Sequence, residues 1–300
     1  MALNKQGYTT IGAAVALLIV LFVFLRSQNK KRESSSKEPE TKEAPSLART
    51  GEVLICSWNL KDFGKSKTDQ SIEFIANTIK GMDVLAIQEV VAGNGGSQAV
   101  ARLADALNRK GAKWDYTISD PTSSKENGTE RYAFIWKPGR VKKVGDAWLE
   151  SHYSEEIDRE PYMATFQVNN KFFTMASFHA IPKAKQPETE IKYLQYVPGE
   201  YPGKNLIFGG DFNCPESNSV FNALKKISYL PVFIKQKTSL RSKCINDDCL
   251  ASEYDNIFCN RSKIRVINSG VTHFYKSFPT LKEAIKISDH LPVYMKFSVN

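Results

Sequence analysis

From residue 51 onward this chain of 300 residues reads as an α/β domain, with β-sheets packed together and helices outside. Short apolar runs suited to buried strands alternate with amphipathic segments at helical spacing, and strand-like runs dominate beyond residue 110. Composition agrees: 42% hydrophobic and 24% charged residues support a soluble core and exclude a disordered, collagen-like or polytopic chain. About 250 residues is also a workable length for one large domain.

Taken in order, residues 53–58 (VLICSW) predict the first strand. Residues 68–80 predict a helix, with Ile72, Phe74, Ile75 and Ile79 at roughly helical spacing. Residues 83–90 predict a second strand and 97–109 a second amphipathic helix. Strand-like segments follow at 132–136, 140–148, 164–168, 172–178 and 206–208. A helix near 217–227 and strands near 255–258, 264–270 and 293–298 complete the pattern, with no internal repeat.

The first 50 residues differ. An apolar run over residues 11–25 follows Thr9 and Thr10 and stops at Arg26; counted from Thr9, its 17 residues are at the short end of what spans a bilayer. A signal peptide would need a small-residue cleavage site after the run, which here ends in Phe-Val-Phe-Leu-Arg. An uncleaved single-pass anchor over 9–25 is therefore expected, behind a short tail of residues 1–8. Residues 26–50 are rich in Ser, Glu, Lys and Pro and predict a disordered charged linker, leaving 51–300 as the folded domain. Lys5 precedes the run, whereas Arg26, Lys30, Lys31 and Arg32 follow it. The positive-inside rule then puts the folded domain in the cytoplasm, with an outward-facing domain as the alternative.

The formal charge is +9, but residues 51–300 hold 33 bases against 28 acids, a mild excess that favours a polyanionic partner without proving one. Five cysteines (Cys56, Cys214, Cys244, Cys249 and Cys259) show no metal-finger spacing and exclude a fully disulfide-stapled scaffold. Cys244 and Cys249 flank four residues and can pair only if that loop folds back. They are expected to be free thiols, which leans toward a reducing compartment.

Asn59, Glu89, His179, Asp211, Asn213, Asp255, Asp289 and His290 each lie at the end of, or just after, an apolar strand-like run. Such ends are where a rigid scaffold presents side chains to a shared cleft. Carboxylates and amides are hard oxygen ligands suited to Mg²⁺, Mn²⁺ or Ca²⁺ rather than to zinc. Glu89 with Asp289, and Asp211 with Asn213, are the candidates. The second pair shares one face if the strand end is extended, and Gly209-Gly210 ahead of it allow a tight turn and close approach to a ligand. Phosphodiester hydrolysis needs a base for water, an acid or ion for the leaving oxygen, and positive charge on the phosphoryl oxygens. His179 and His290, with neighbouring carboxylates and one metal, would meet all three. His152 and His273 read as structural.

Five short motifs then appear in order: Trp58-Asn59-Leu60, Ile87-Gln88-Glu89-Val90, Gly210-Asp211-Phe212-Asn213, Tyr254-Asp255-Asn256-Ile257 and Ile287-Ser288-Asp289-His290-Leu291-Pro292. Together they resemble the endonuclease/exonuclease/phosphatase superfamily. Asn59-Leu60-Lys61-Asp62-Phe63-Gly64, Glu130-Arg131-Tyr132-Ala133-Phe134, Arg159-Glu160-Pro161 and Ser177-Phe178-His179-Ala180 resemble its deoxyribonuclease I branch in particular.

The resemblance implies a four-layer α/β sandwich, two mixed sheets face to face with helices outside. It implies that Glu89 binds a catalytic divalent metal, Mg²⁺ or Mn²⁺ with Ca²⁺ as an alternative, and that Asn59 and Asp289 lie close to the same ion. His179, oriented by Glu130, would be one acid–base group and His290, paired with Asp255, the other; which of them activates water stays open. Asp211 and Asn213 would hold the scissile phosphate or a second ion, and Arg159 would contact backbone phosphate. The implied enzyme is a nuclease with a monomeric catalytic domain and DNA as its substrate; the apolar run over 9–25 adds the membrane as a second partner. A phosphoinositide phosphatase or a sphingomyelinase-type phosphodiesterase on the same scaffold is the rival, and an inactive binding protein the third reading. Two departures bear on substrate. The branch's groove-entering arginine would fall at Val91 and its neighbouring tyrosine at Gly128, so preference is expected to shift toward single strands, RNA or damaged DNA. The loop 92–96 would be the replacement surface.

Overall fold

Side-chain alternation along the strands builds the molecule in layers. In β1 (Glu52–Phe63), Val53 and Ile55 join one apolar cluster and Cys56 and Trp58 another. In β2 (Val84–Val91), Val84 and Ala86 are likewise opposed to Leu85 and Ile87. The face carrying Cys56, Trp58, Leu85 and Ile87 packs on two amphipathic helices, α1 (Asp69–Ile79) and α2 (Gly96–Asn108). Thr68 caps the first of these, its hydroxyl accepting from Ser71 N.

The structure, a computed structural model, describes residues 51–93, 95–124 and 128–300. The expected tail, anchor and linker (1–8, 9–25 and 26–50) lie outside the described residues, as does Asn94 of the 92–96 loop. Among the described residues no helix is long and apolar enough to cross a membrane. The described residues, from Gly51 onward, lie in one compact unit. Its further strands are β3 (Asp115–Ile118), β4 (Glu130–Trp136), β5 (Lys142–Leu149), β6 (Tyr162–Val168), β7 (Lys171–His179), β8 (Leu206–Asp211), β9 (Tyr229–Pro231), β10 (Leu240–Ile245), β11 (Asp248–Leu250), β12 (Asp255–Asn260), β13 (Ile264–Val271) and β14 (Val293–Val299).

One six-stranded mixed sheet has the order β13-β14-β1-β2-β4-β3 and the other β5-β6-β7-β8-β12-β9. Between them lies a core that includes Ile55, Phe134, Phe166, Phe173, Met175, Ile257, Met295 and Phe297. Each such side chain contributes about 1.5–3 kcal/mol on leaving water. The far face of the second sheet, with Ala176, Phe178 and Phe208, is covered by Phe221 and Leu224 of the helical segments Ser219–Phe221 and Asn222–Lys226. Helix, sheet, sheet and helix follow one another, as expected.

The inter-sheet face turns polar toward one end. On β1 the series Val53, Ile55 continues to Ser57 and Asn59; on β7, Phe173 and Met175 continue to Ser177 and His179. Gln88 joins the sheets there, donating to Ser177 Oγ at 2.7 Å and to Ser57 Oγ at 3.1 Å. His179 pairs with Asp211 across β7–β8, and Asp255 with Asp211 across β8–β12, so these side chains emerge at the same end.

Three expectations change. β1 does not stop near residue 58 but runs on to Phe63 through an irregular register. Gly209 and Gly210 lie inside β8 rather than in a turn, and Gly210 is required because a Cβ there would run into the Phe178 carbonyl of β7. Cys244 and Cys249 are not free thiols. They form a disulfide, their Cα atoms 4.1 Å apart, because Asn246 and Asp247 take left-handed conformations (φ 48° and 63°) that fold the loop back. Cys56, Cys214 and Cys259 are free and buried.

Candidate active site

A cavity of about 440 Å³ opens at the polar end of the sandwich and is lined in part by Glu89, Glu130, Arg159, His179, Asp211, Asn213 and His290. Two histidine–carboxylate pairs frame it. His179 Nδ1 stands 2.9 Å from Glu130 Oε2, and His290 Nδ1 stands 2.8 Å from Asp255 Oδ2. With Nδ1 directed at a carboxylate, each ring turns Nε2 toward the middle. Both Nε2 atoms stand 3.5 Å from one oxygen, Asp211 Oδ2.

Burial sets the electrostatics. It would lower the pKa of His179, but Glu130 reverses this and the imidazole is raised above 6.5. Burial would raise Glu130, yet His179 and Arg159 hold it below the ordinary carboxylate value. His290 is raised well above its ordinary value because Asp255 and Asp211 outweigh its burial. Asp211 stays low: against its burial act both imidazoles, the Asn213 N–H and the Asn59 amide. Burial pushes Asp255 up to about 6, against the opposing pull of His290.

The second group is built from distorted backbone. Glu89 has φ 60°, costly for a residue with a side chain, at a register shift between Ile87 and Val90. Next to it Lys61 (φ 33°) and Asp62 (φ 50°) also turn left-handed, where β1 shifts register. These bulges re-aim the side chains. Glu89 accepts from Asn59 Nδ2 at 2.8 Å and from Asp62 N at 2.9 Å. Asn59 Nδ2 also reaches Asp211 Oδ2 at 3.2 Å, so its amide bridges the carboxylates as a donor, while its oxygen accepts from Lys61 N. Asp289 is drawn to Lys61 Nζ at 2.7 Å. That ammonium is raised against its burial by Asp289, Glu89 and Asp62 together. A cation already sits among hard oxygen donors here, so Glu89 and Asp289 suit a Mg²⁺-type ion. Asp211, Asp255 and His290 also have ligand atoms within 4.8 Å of one another, but Asp255 Oδ2 is engaged by His290 and by Thr238.

Two expected phosphate contacts look different in place. Arg159 lines the cavity but is only 5% exposed, its guanidinium donating to Glu130 and to the Ala180 carbonyl. Asn213 is not in an extended i, i+2 relation with Asp211. It is left-handed (φ 47°), with its N–H on Asp211 Oδ1 and its side chain on the Ala180 carbonyl. His152, read as structural, pairs with buried Glu150 away from the cavity, and His273 lies between β13 and a 3₁₀ turn.

Four positioning residues escaped the sequence reading. Thr238 donates to Asp255 Oδ2 at 2.7 Å and accepts from Asp255 N at 2.8 Å. The Ser288 hydroxyl donates to the Asn59 carbonyl at 2.6 Å and accepts from His290 N. The Tyr132 hydroxyl accepts from His179 N and donates to the Arg159 carbonyl. Lys67, 3% exposed, donates to the carbonyls of Lys286 and Ile287, and burial pushes its pKa down to about 8. Ser288 and Tyr132 lie within recognisable motifs; nothing local marks Thr238 or Lys67.

Residues 56–290 match the profile of the endonuclease/exonuclease/phosphatase family. The chain belongs to that family. It is similar to a deoxyribonuclease of Thioalkalivibrio sp. (strain K90mix), 26% identical over 276 residues that cover 84% of this chain and 73% of that protein. Human deoxyribonuclease gamma is 28% identical over 270 residues, covering 81% and 85%. These relatives fit the deoxyribonuclease I-like branch, and the chain is a phosphodiester hydrolase of that type. Two solved structures share the fold. The human Nocturnin catalytic domain with bound sulfate gives a TM-score of 0.59 at 16% identity, covering 83% of this chain and 95% of that one. A mannosyl-6-phosphatase of Bacteroides thetaiotaomicron gives 0.60 at 18% identity, covering 82% and 99%.

Proposed function

We propose that the protein is a membrane-anchored, divalent-metal-dependent endonuclease acting on DNA. The observation that carries the chemistry is the convergence of two carboxylate-backed imidazoles on Asp211 Oδ2, each at 3.5 Å, beside Glu89. A Mg²⁺ or Mn²⁺ ion, when bound, supplies positive charge to the phosphoryl oxygens. Glu89 and Asp289 are the residues that would hold it, with Asn59 orienting Glu89 through its amide. One imidazole removes a proton from water at Nε2 while the other delivers one to the leaving oxygen; Glu130 and Asp255 stabilise whichever ring is charged. Asp211, kept ionised, aligns the groups between the two rings. Arg159 holds Glu130 in place and offers positive charge to the phosphate side of the cavity.

Val91 and Gly128 both line the cavity, and a side chain at Gly128 would meet open space. This supports a preference for strands that are open or damaged, because no side chain there is of a kind to enter the minor groove. The anchor rests on residues 9–25 as a sequence feature. For orientation, the basic flank argues for the cytoplasm and the Cys244–Cys249 disulfide for an oxidising compartment. Thiol labelling in intact cells reads which one governs.

The test incubates the purified protein and its His290→Ala variant with duplex DNA, single-stranded DNA, RNA and a phosphoinositide, with Mg²⁺, Mn²⁺ or EDTA. Metal- and His290-dependent cleavage of DNA is expected. Lipid turnover with nucleic acid untouched would overturn the nuclease in favour of a phosphatase or phospholipase.

A further inference from the structure

The hairpin β10–β11 belongs to neither large sheet, and its strands pair only at Leu240↔Leu250 and Ile245↔Asp248. A lone two-stranded hairpin is marginal in water. Two devices hold this one. At the tip, left-handed Asn246 and Asp247 make the turn and the Cys244–Cys249 disulfide closes across it. At the base, the main chain is joined to the catalytic segment: Leu240 N donates to the Asp289 carbonyl at 2.7 Å, Leu291 N donates to the Thr238 carbonyl at 2.7 Å, and Ser239 bridges His290. The hairpin is thus a stiffened extension of the segments that carry the His290–Asp255 pair.

The hairpin itself is balanced, Arg241 and Lys243 against Asp247 and Asp248, but the segment leading into it adds Lys235 and Lys237, so residues 235–250 hold four bases against two acids. Asp248 already gathers Lys237 at 2.7 Å and Arg241 at 3.6 Å. Lys235 and Lys243 are exposed and make no ion pair among the described residues. A stapled, exposed hairpin with a basic lead-in, rooted beside an acid–base pair, suits a partner that carries phosphates beyond the one being cut.

We propose that this hairpin and the segment leading into it form an arm for nucleic-acid backbone, with Lys235 ahead of the hairpin and Lys243 on it contacting phosphates outside the catalytic cavity. The proposal rests on the nuclease reading and names the surface that holds the rest of the strand. Exposed lysines of this kind set affinity and its salt dependence, not turnover.

The experiment compares the full-length protein with the Lys235→Gln/Lys243→Gln variant. Binding of a labelled 20-bp duplex is followed by anisotropy in EDTA between 50 and 200 mM salt. The variant is expected to bind about tenfold more weakly at 50 mM, with the slope of log K against log salt flatter by about two, at roughly 0.9 per contact. Its turnover of bis(4-nitrophenyl) phosphate, a diester with no further phosphates, should match wild type. A Cys244→Ser/Cys249→Ser variant should lose part of the duplex affinity at unchanged net charge, because the arm loses its staple. Wild-type affinity and slope in the lysine variant, with an unchanged Tm, would overturn the arm and leave the nuclease reading standing. Absence of any nucleic-acid cleavage by the wild type would instead overturn the reading on which the arm rests.

Discussion

Thr238→Val removes one oxygen and almost no volume from a fully buried position, so its effect isolates a single hydroxyl. That hydroxyl donates to Asp255 Oδ2 at 2.7 Å and accepts from Asp255 N at 2.8 Å and Tyr254 N at 3.2 Å. Removing it strands the Asp255 N–H inside the protein, at a cost of about 1–3 kcal/mol, and weakens the longer bond to Tyr254 by less. A total loss of about 2–4 kcal/mol is expected, read as the shift of the urea midpoint in EDTA. Function should suffer separately. Asp255 is already pushed up to about 6 by burial, and the lost donor favours its neutral form further. A hydrogen bond to a charged group is worth about 1.5–3 kcal/mol. If that stabilises the imidazolium of His290 in the transition state, kcat falls about tenfold to a hundredfold, at about 1.4 kcal/mol per decade. Thr238→Ser, which keeps the hydroxyl, should recover most of both. Wild-type kcat in the valine variant, together with its full stability loss, would mean that Asp255 does not act through His290.

Glu89→Gln should abolish metal-dependent turnover with the fold intact by circular dichroism; metal-stimulated activity in that variant removes Glu89 from the ion. His179→Ala and His290→Ala should each lower kcat by about 10²–10⁴-fold, and a value near wild type returns that ring to a structural role. The Glu130–His179 pair should shape stability against pH. Glu130 is depressed below 4.5, so its contribution is complete above that pH and fades on acidification; His179 is raised above 6.5, so its contribution is complete below 6.5 and fades as the medium becomes alkaline. The Tm difference between wild type and Glu130→Gln in EDTA should therefore be largest between pH 4.5 and 6.5, and a flat difference would refute the pairing. Val91→Arg should raise activity on duplex relative to single-stranded DNA; an unchanged ratio means that duplex contacts lie elsewhere.

What could be read from the chain tracks how local each signal is. Apolar runs ending in a polar residue marked β7 and β8 with His179 and Asp211, because alternation is a property of neighbouring residues. The left-handed backbone at Lys61, Asp62 and Glu89 was not legible: no glycine announces it, and it is imposed by two bulges side by side. The hairpin at Leu240–Leu250 was missed for a related reason. Arg241, Ser242 and Lys243 show no apolar alternation, and closure of the disulfide depends on two turn residues that hold left-handed conformations without being glycine. Thr238 stands 17 positions before the carboxylate it supports, a partnership that only the tertiary structure reveals.

Gln88 has one further consequence. Its amide spans the interior from Ser57 on one sheet to Ser177 on the other, immediately below the cavity. Ser57 and Gln88 belong to the same sheet, so sliding the sheets by one residue would break the bond to Ser177 in a place where water cannot replace it. The crosspiece therefore acts as a bolt against shear. Asn59 and Glu89 on one sheet are thereby kept in register with His179 and Asp211 on the other, while substrate preference can drift through rim positions such as Val91 and Gly128.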